Sequence, residues 1–394
     1  MRILYCALDQ RVPGTTGGAT HVRAVAEGLA RLGHHVRVLT GRGDGPFPVD
    51  PCHADHLDWI ALPSPGHRPH LRMARQPAVA RLARAWRPDV ILERYHNFGG
   101  EGILAAGELD ALRVLEVNAP VIDHPGSAKR ALDRLLLIEP MRRWREHVCR
   151  HADLFVTPQR SILPAFIDDG DVVEIEWGAD TDRFAPSAPG IAPYARTADE
   201  VVVVFAGAFR AWHGAHLLVD AVAALDPGMR ARVHAVFIGD GPELPRVRAA
   251  AARHGLQRVT FTGAVPYDQM PAALAASDIG VAPFDVAAHP PLQLAFYWSP
   301  LKVFEYLASG RPVVAPRLPR LAALVSDGIE GVLYDAGDVH GLRDALARLV
   351  GDAELRRQLG MAARERAVRD YSWQAHCARL ASAFATRLAT RSPR

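Results

Sequence analysis

A β-branched run, Val201 to Phe205, restarts in mid-chain a pattern that the N-terminus has already shown once. Strands that are apolar at every position are covered on both faces, as in parallel sheets. In the first instance Ile3 to Ala7 reads as the strand and Pro13 to Gly18 as a glycine-rich loop. Thr20 to Leu32 then reads as a helix stopped by Gly33, and His35 to Thr40 as the next strand. This is a βαβ unit whose loop lies at the strand's carboxyl end, where doubly wound sheets take their ligands. In the second instance Gly207 to Gly214 is the loop and Ala215 to Leu225 the helix. Further strands are expected at Asp89 to Glu93, Arg113 to Val117, Leu154 to Thr157 and Val172 to Ile175. Others are expected at Val233 to Gly239, Val259 to Thr262, Ile279 to Pro283 and Pro312 to Ala315. Strands alternating with helices throughout predict an α/β protein with open, doubly wound sheets.

A chain of 394 residues exceeds one ordinary core, so two domains are expected. Residues 1–186 form the first and 200–372 the second, facing across a cleft. The proline-bearing stretch Pro186 to Glu200 is read as their connection. The helical tail, about 373–390, is expected to cross back onto the first domain. Hydrophobic content of 49% and charged content of 23% describe a globular protein. A net charge of +3 makes no demand for nucleic acid. Lys129 and Lys302 are the only lysines among many arginines, which reads as coding bias. Cys6, Cys52, Cys149 and Cys377 are scattered without metal spacing, as in a reduced, cytoplasmic protein. The N-terminal apolar run is too short for a signal peptide. No run approaches the roughly 20 apolar residues of a membrane span.

The chemistry concentrates at Ser299 to Pro316. A helix opens after Pro300, carries Leu301, Phe304 and Leu307 on its apolar face and stops at Gly310. Lys302 and Glu305 fall three apart on one helical face. Free amides at a helix N-terminus beside a lysine suit a phosphate, and a carboxylate one turn on suits the two hydroxyls of a ribose. The plain reading is a solvated surface pair. Arg210 and His213, in the Gly207 loop, can fork onto and hydrogen-bond a diphosphate from the same side of the sheet. Gly17 and Gly18 let backbone amides approach an anion, although G-T-T-G-G-A is not the G-x-G-x-x-G of dinucleotide folds. Asp168 to Asp171, D-D-G-D, reads as a turn, and no metal site is expected.

Several stretches occur together in an order that is specific as a set. They are Gly17-Gly18, W-G-A-D-T-D-R-F from Trp177, G-A-F-R-A-W-H-G from Gly207 and F-I-G-D-G-P from Phe237. F-T-G-A-V-P from Phe261, S-D-I-G-V-A-P from Ser277 and S-P-L-K-V-F-E-Y-L-A-S-G from Ser299 complete it. With this set the chain resembles, over nearly its whole length, the retaining glycosyltransferases of family four, which have the GT-B fold of two Rossmann-like domains. The resemblance implies that Gly17 and Gly18 approach the donor's phosphate or sugar. It implies that Arg210 and Lys302 neutralise the diphosphate, with Leu301 and His213 beside them. Val265 would meet the base through its backbone, and Glu305 would hold the ribose. Similar enzymes carry Glu, seven residues, Glu; here Tyr297 stands at the first position. His213 stands for the usual Lys, Ala208 for the usual Arg, and Asn118 for a frequent catalytic His. His96 or His124 would be the substitutes.

The acceptor is expected on the first domain, near strand-end residues Glu93, Arg94, Tyr95, His96, Asn97, Glu116 and Asn118, with His124 close by. The reading is thus transfer with retention from a nucleotide sugar, UDP-linked by default, to a small-molecule or natural-product acceptor, without cofactor. Other readings stay open. Tyr297, His213 and Asn118 also fit a sugar-nucleotide-binding protein that has lost transfer. The basic segments Arg68 to Arg84 and Lys129 to Arg150, the latter with Leu135, Leu136 and Leu137, also fit peripheral contact with a membrane carrying a lipid-linked acceptor. A dehydrogenase or epimerase is the third, against which the missing dinucleotide fingerprint argues.

Overall fold

A computed structural model describes residues 1–14, 16–47, 54–63, 69–121, 139–289, 292, 296–297 and 299–391. The chain divides into two compact units. The first is Met1–Trp177 with Tyr297–Ser299 and Trp373–Arg394, and the second is Gly178–Phe296 with Pro300–Ser372.

In the first unit the described strands are β1 (Arg2–Val12), β2 (His35–Arg42), β3 (Leu57–Ala61), β4 (Val90–Arg94), β5 (Leu112–Glu116), β6 (Leu154–Thr157) and β7 (Val172–Glu174). They form one sheet in the order β3-β2-β1-β4-β5-β6-β7, every neighbouring pair parallel. β3 has no fully buried residue, which is why neither an apolar run nor an alternation marks it in the sequence. The second unit repeats the plan with β8 (Val201–Ala206), β9 (Val233–Ile238), β10 (Val259–Gly263), β11 (Ile279–Val281), β12 (Val313–Pro316) and β13 (Gly331–Tyr334). Their order is β10-β9-β8-β11-β12-β13, again parallel. β8 is buried at all its positions, as its apolar run requires. In each sheet the strand order reverses beside the first strand of the unit, so β1 and β4, and β8 and β11, flank a switch point.

The helix Trp373–Thr390 belongs to the first unit and packs on the helix Gly17–Arg31. Gly28 lets the two approach: a Cβ there would lie 2.4 Å from the Cys377 sulfur. Residues 178–199 go with the second unit. There Arg364 donates to Thr181 O and Phe184 O, Arg311 to Pro186 O, and Tyr194 to Ala273 O. The stretch read as a connection is thus pinned to one unit by guanidinium–carbonyl bonds. Among the described residues, no helix is long and apolar enough to cross a membrane.

Tyr306 fastens the end of β8. Its ring is fully buried, and its hydroxyl accepts the Ala206 N–H at 2.8 Å. Removing that oxygen leaves a buried amide without a partner, at a cost of about 1–3 kcal/mol. Tyr306→Phe should lower the urea midpoint accordingly. A midpoint equal to wild type would show that the bond carries no stability.

Candidate functional site

The loops after β8, β9 and β10 converge at the carboxyl edge of the second sheet. Gly207, at φ 134°, follows β8, and Gly239, at φ 131°, follows β9. A Cβ on Gly239 would sit 2.0 Å from the Gly207 carbonyl oxygen, so the loops can touch only as glycines. Gly207 in turn leaves space for Lys302, whose ammonium would lie 3.1 Å from a Cβ there. The helix Leu301–Ala308 starts at Pro300, and no side chain caps it. Val303 N donates to Pro300 O at 2.8 Å, which leaves the first two amides, of Leu301 and Lys302, for an anion.

Lys302 is 8% exposed. Its Nζ is buried without a hydrogen-bond partner and without a carboxylate at ion-pair distance among the described residues. It lies 4.0 Å from the centre of the Phe205 ring and 5.3 Å from that of Phe284. Burial pulls its pKa down to about 7, and the Glu305 charge opposes that shift only partly. The same burial pushes Glu305 up to about 7, against a hydrogen bond from Tyr267 and the charge of Lys302. Tyr267, four residues beyond the end of β10, packs at a tilt against Phe184 and lies under Arg183. Val265 sits in the same turn, half-buried.

Arg210 is exposed at the rim of the Gly207 loop, with its guanidinium 6.0 Å from the Trp212 ring. It and Lys302 both act on His213. Burial first, then the Lys302 charge, with Arg210 adding to it, hold that imidazole down to about 3. His213 is therefore neutral, and its Nδ1–H donates to Ala208 O. Nε2 is left as an acceptor, which departs from the donor role expected of His213 toward a diphosphate. The structure thus brings Arg210, His213, Leu301, Lys302, Glu305 and Val265 to one edge of one sheet. Tyr267 joins them; nothing in its local sequence marks it, because its contact with Glu305 is long-range.

In the first unit Gly17 and Gly18 open the helix Gly17–Arg31, with Thr16 Oγ1 accepting from Ala19 N at 3.2 Å. Glu116, at the end of β5, meets His21 of that helix in a close hydrogen bond, accepts from Tyr5 Oη at 2.9 Å and lies 4.0 Å from Arg94. Burial opposes its ionisation, but His21 and then Arg94 overrule burial and hold it well below the usual carboxylate range. Arg94 also pairs with Asp9 at 3.2 Å. Asn118 accepts from Trp177 Nε1 at 2.8 Å, and Trp177 stacks on His21 with centroids 4.2 Å apart. His21 is a site residue that the sequence did not single out, since a histidine early in a helix carries no pattern.

Glu93 is differently engaged from what was expected. Its carboxylate accepts from the amides of Gly100, Gly102 and Ile103 at 2.6, 2.9 and 2.7 Å, capping the helix Glu101–Ala105. Burial and the neighbouring Glu101 raise its pKa. His96 is buried 3.8 Å from Glu101, and burial holds it at about 4. Tyr95 and Asn97 are half-buried beside it. Tyr297 is buried. His124, Cys52 and Leu135 to Leu137 lie outside the described residues. The D-D-G-D stretch is a turn, with Asp168 accepting from Gly170 N at 2.7 Å. No cluster of three His, Cys, Asp or Glu that could hold a metal occurs among the described residues.

Residues 16–173 match the family described as glycosyl transferase 4-like domain, and residues 200–352 match glycosyl transferases group 1. The chain is 28% identical over 393 residues to a phosphatidyl-myo-inositol mannosyltransferase of Mycobacterium leprae, across 98% of this chain and 97% of that one. It is 35% identical over 192 residues to a D-inositol 3-phosphate glycosyltransferase of Corynebacterium glutamicum, across 46% of this chain and 43% of that one. The solved sucrose-phosphate synthase of Thermosynechococcus elongatus superposes with a TM-score of 0.72 at 20% identity, covering 99% of this chain and 100% of that one. Both matched segments fall on the doubled α/β plan described above, and on that ground the chain belongs to the group 1 glycosyltransferases of the GT-B fold.

Proposed function

We propose that the second unit holds a nucleoside diphosphate sugar and that its glycosyl group passes, with retention, to a hydroxyl of a small polyol held by the first unit. The observation that carries this reading is Lys302, a buried ammonium with no hydrogen-bond or ion-pair partner among the described residues, at a helix N-terminus that no side chain caps. A diphosphate supplies the missing anion. Breaking the bond from the anomeric carbon to the phosphate oxygen builds negative charge on the leaving diphosphate. Lys302, Arg210 and the first amides of the helix Leu301–Ala308 are fixed where that charge grows. The acceptor oxygen forms the new bond, and its proton goes to the leaving phosphate. Glu305 holds the ribose, with Tyr267 orienting its carboxyl group. The protein's own cations neutralise the diphosphate, so the reading needs no metal ion. UDP is the default base, and GDP-mannose is the first competitor to assay, since one relative is named a mannosyltransferase. Both relatives are named for inositol carrying a phosphate, which supports a phosphorylated polyol as acceptor.

Transfer assayed with UDP- and GDP-sugars against inositol phosphate tests the reading. Nucleotide binding with no transfer or hydrolysis of any donor would favour the transfer-inactive alternative. Turnover only on vesicles bearing phosphatidylinositol would favour the lipid-linked one. Glu305→Ala should weaken nucleotide binding by about 1.5–3 kcal/mol, the value of hydrogen bonds to a charged group. Lys302→Ala should slow turnover by about 10²-fold or more, as removal of a transition-state charge partner does. Unchanged kinetics in both variants would remove the site. EDTA should leave the rate unaltered, and a loss restored by magnesium would sink the metal-free step.

Affinity should also depend on pH with a maximum near 7. The free-state pKa of Lys302, about 7, lies below its ordinary value, and a bound diphosphate raises it. Binding above pH 7 therefore takes up a proton, and affinity falls as pH rises. Glu305 must ionise to accept the ribose hydroxyls, so affinity also falls below about 7. Calorimetry at pH 8 in two buffers of different ionisation enthalpy reads the proton directly. No uptake there would mean that Lys302 does not meet the diphosphate.

A further inference from the structure

A cavity lies at the opposite edge of the second sheet. Its volume is about 530 Å³, within the range of small-molecule sites. Asp278 precedes β11, and Gly310, Arg311 and Pro312 precede β12, so the cavity opens at the amino edge. Gly207 and Lys302 mark the carboxyl edge, and none of the donor-site residues lines it. Its other wall is the helix Ala353–Asp370, which contributes Arg356, Arg357, Met361 and Arg364.

The charge around this cavity is unbalanced. Four arginines line it against two carboxylates, Asp278 and Glu365, and one of the four, Arg357, is paired with Glu354 at 2.5 Å beside the cavity. Asp278 is already engaged, accepting from Val202 N at 2.7 Å and pairing with Arg196 at 3.1 Å. Three of the arginines bond only backbone carbonyls. Arg311 donates to Pro186 O and Ala275 O, and its buried Nε has no partner. Arg356 donates to Leu349 O and Val350 O at the end of the helix Val339–Gly351. Arg364 donates to Ala308 O at the end of the helix Leu301–Ala308. Helix ends carry about half a charge each, so three guanidinium charges are only partly met. Burial lowers the pKa of all three, outweighing the opposing charges of Asp278 on Arg311 and Arg356 and of Asp182 on Arg364. Pro186, Pro312 and Ala353 supply an apolar floor.

We propose that this cavity binds a small phosphate ester, its phosphate among Arg311, Arg356 and Arg364 and its body over the proline floor. Arginine suits this task because its planar fork meets phosphate oxygens in pairs. The site is independent of the donor and acceptor assignments above.

Calorimetric titration of the full chain tests it, with glucose 6-phosphate as the probe, inorganic phosphate and glucose as comparators, and sodium chloride matching ionic strength. The ester should bind at least tenfold more tightly than inorganic phosphate, which leaves the floor uncovered, and glucose should not bind. Lys302→Ala should retain the binding. Arg356→Gln should weaken it at least tenfold. Met361→Glu should do the same by placing a carboxylate at the mouth; Met361 is 53% exposed, so this variant leaves the core alone. No heat from glucose 6-phosphate beyond the salt control would overturn the proposal. So would binding that survives both cavity variants, binding lost in Lys302→Ala, or equal affinity for ester and inorganic phosphate.

Discussion

A buried ammonium with no hydrogen-bond or ion-pair partner among the described residues is costly, and the second unit holds one at Lys302. Leaving water costs a charged group several kcal/mol unless something replaces its hydration. The faces of Phe205 and Phe284 offset part of that for Lys302, since ring quadrupoles attract cations. The remainder appears as a pKa near 7. Lysine is the residue that can do this. Its charge is compact and shifts readily, whereas an arginine would stay charged at any accessible pH. In a chain that otherwise uses arginine almost throughout, one of only two lysines stands at this position. What read as coding bias elsewhere makes the exception informative here.

The two units use the same plan and treat their buried charges in opposite ways. In the first, each strand-end charge is matched. Glu116 has His21 and Arg94, Arg94 has Asp9, and Glu93 has three backbone amides. In the second, Lys302 and the helix amides beside it are left unmatched. A free-energy deficit of this kind in the unliganded state is recovered when a ligand brings the missing charge. A shared architecture therefore does not imply shared ligands; the balance of charge at each carboxyl edge separates their roles.

Much of this was legible in the sequence, for a physical reason. A strand buried on both faces is apolar at nearly every position, so β8 announces itself, and β9 does so apart from His234. Loops that touch at their backbones must be glycine, so the Gly207 and Gly239 turns do as well. Lys302 and Glu305 were readable because helical spacing is local. β3 was missed because none of its residues is fully buried, and β13 because four residues opened by a glycine carry no period. Tyr267 and His21 were missed because their partners, Glu305 and Glu116, are distant in sequence. The same holds for Glu93. A strand-end carboxylate looks alike in sequence whether it faces a substrate or caps the next helix. Only the amides of Gly100, Gly102 and Ile103 distinguish the two.

One consequence of the Lys302–Glu305 spacing concerns what kind of ligand the site prefers. Both side chains are fully desolvated, and burial moves one pKa down and the other up until they meet near 7. Each charge stabilises the other, yet neither repays the other's lost hydration, because the lysine still lacks a partner within hydrogen-bond reach. Inorganic pyrophosphate would restore the ammonium while bringing its negative charge toward the carboxylate. A nucleoside would satisfy the carboxylate and leave the ammonium bare. A nucleoside diphosphate addresses both in one binding event, with its anion at the start of the helix and its ribose hydroxyls one turn on. On the proposed reading, specificity for the intact nucleotide comes from a single helical turn, because the two halves of the ligand correct opposite shifts with one cause.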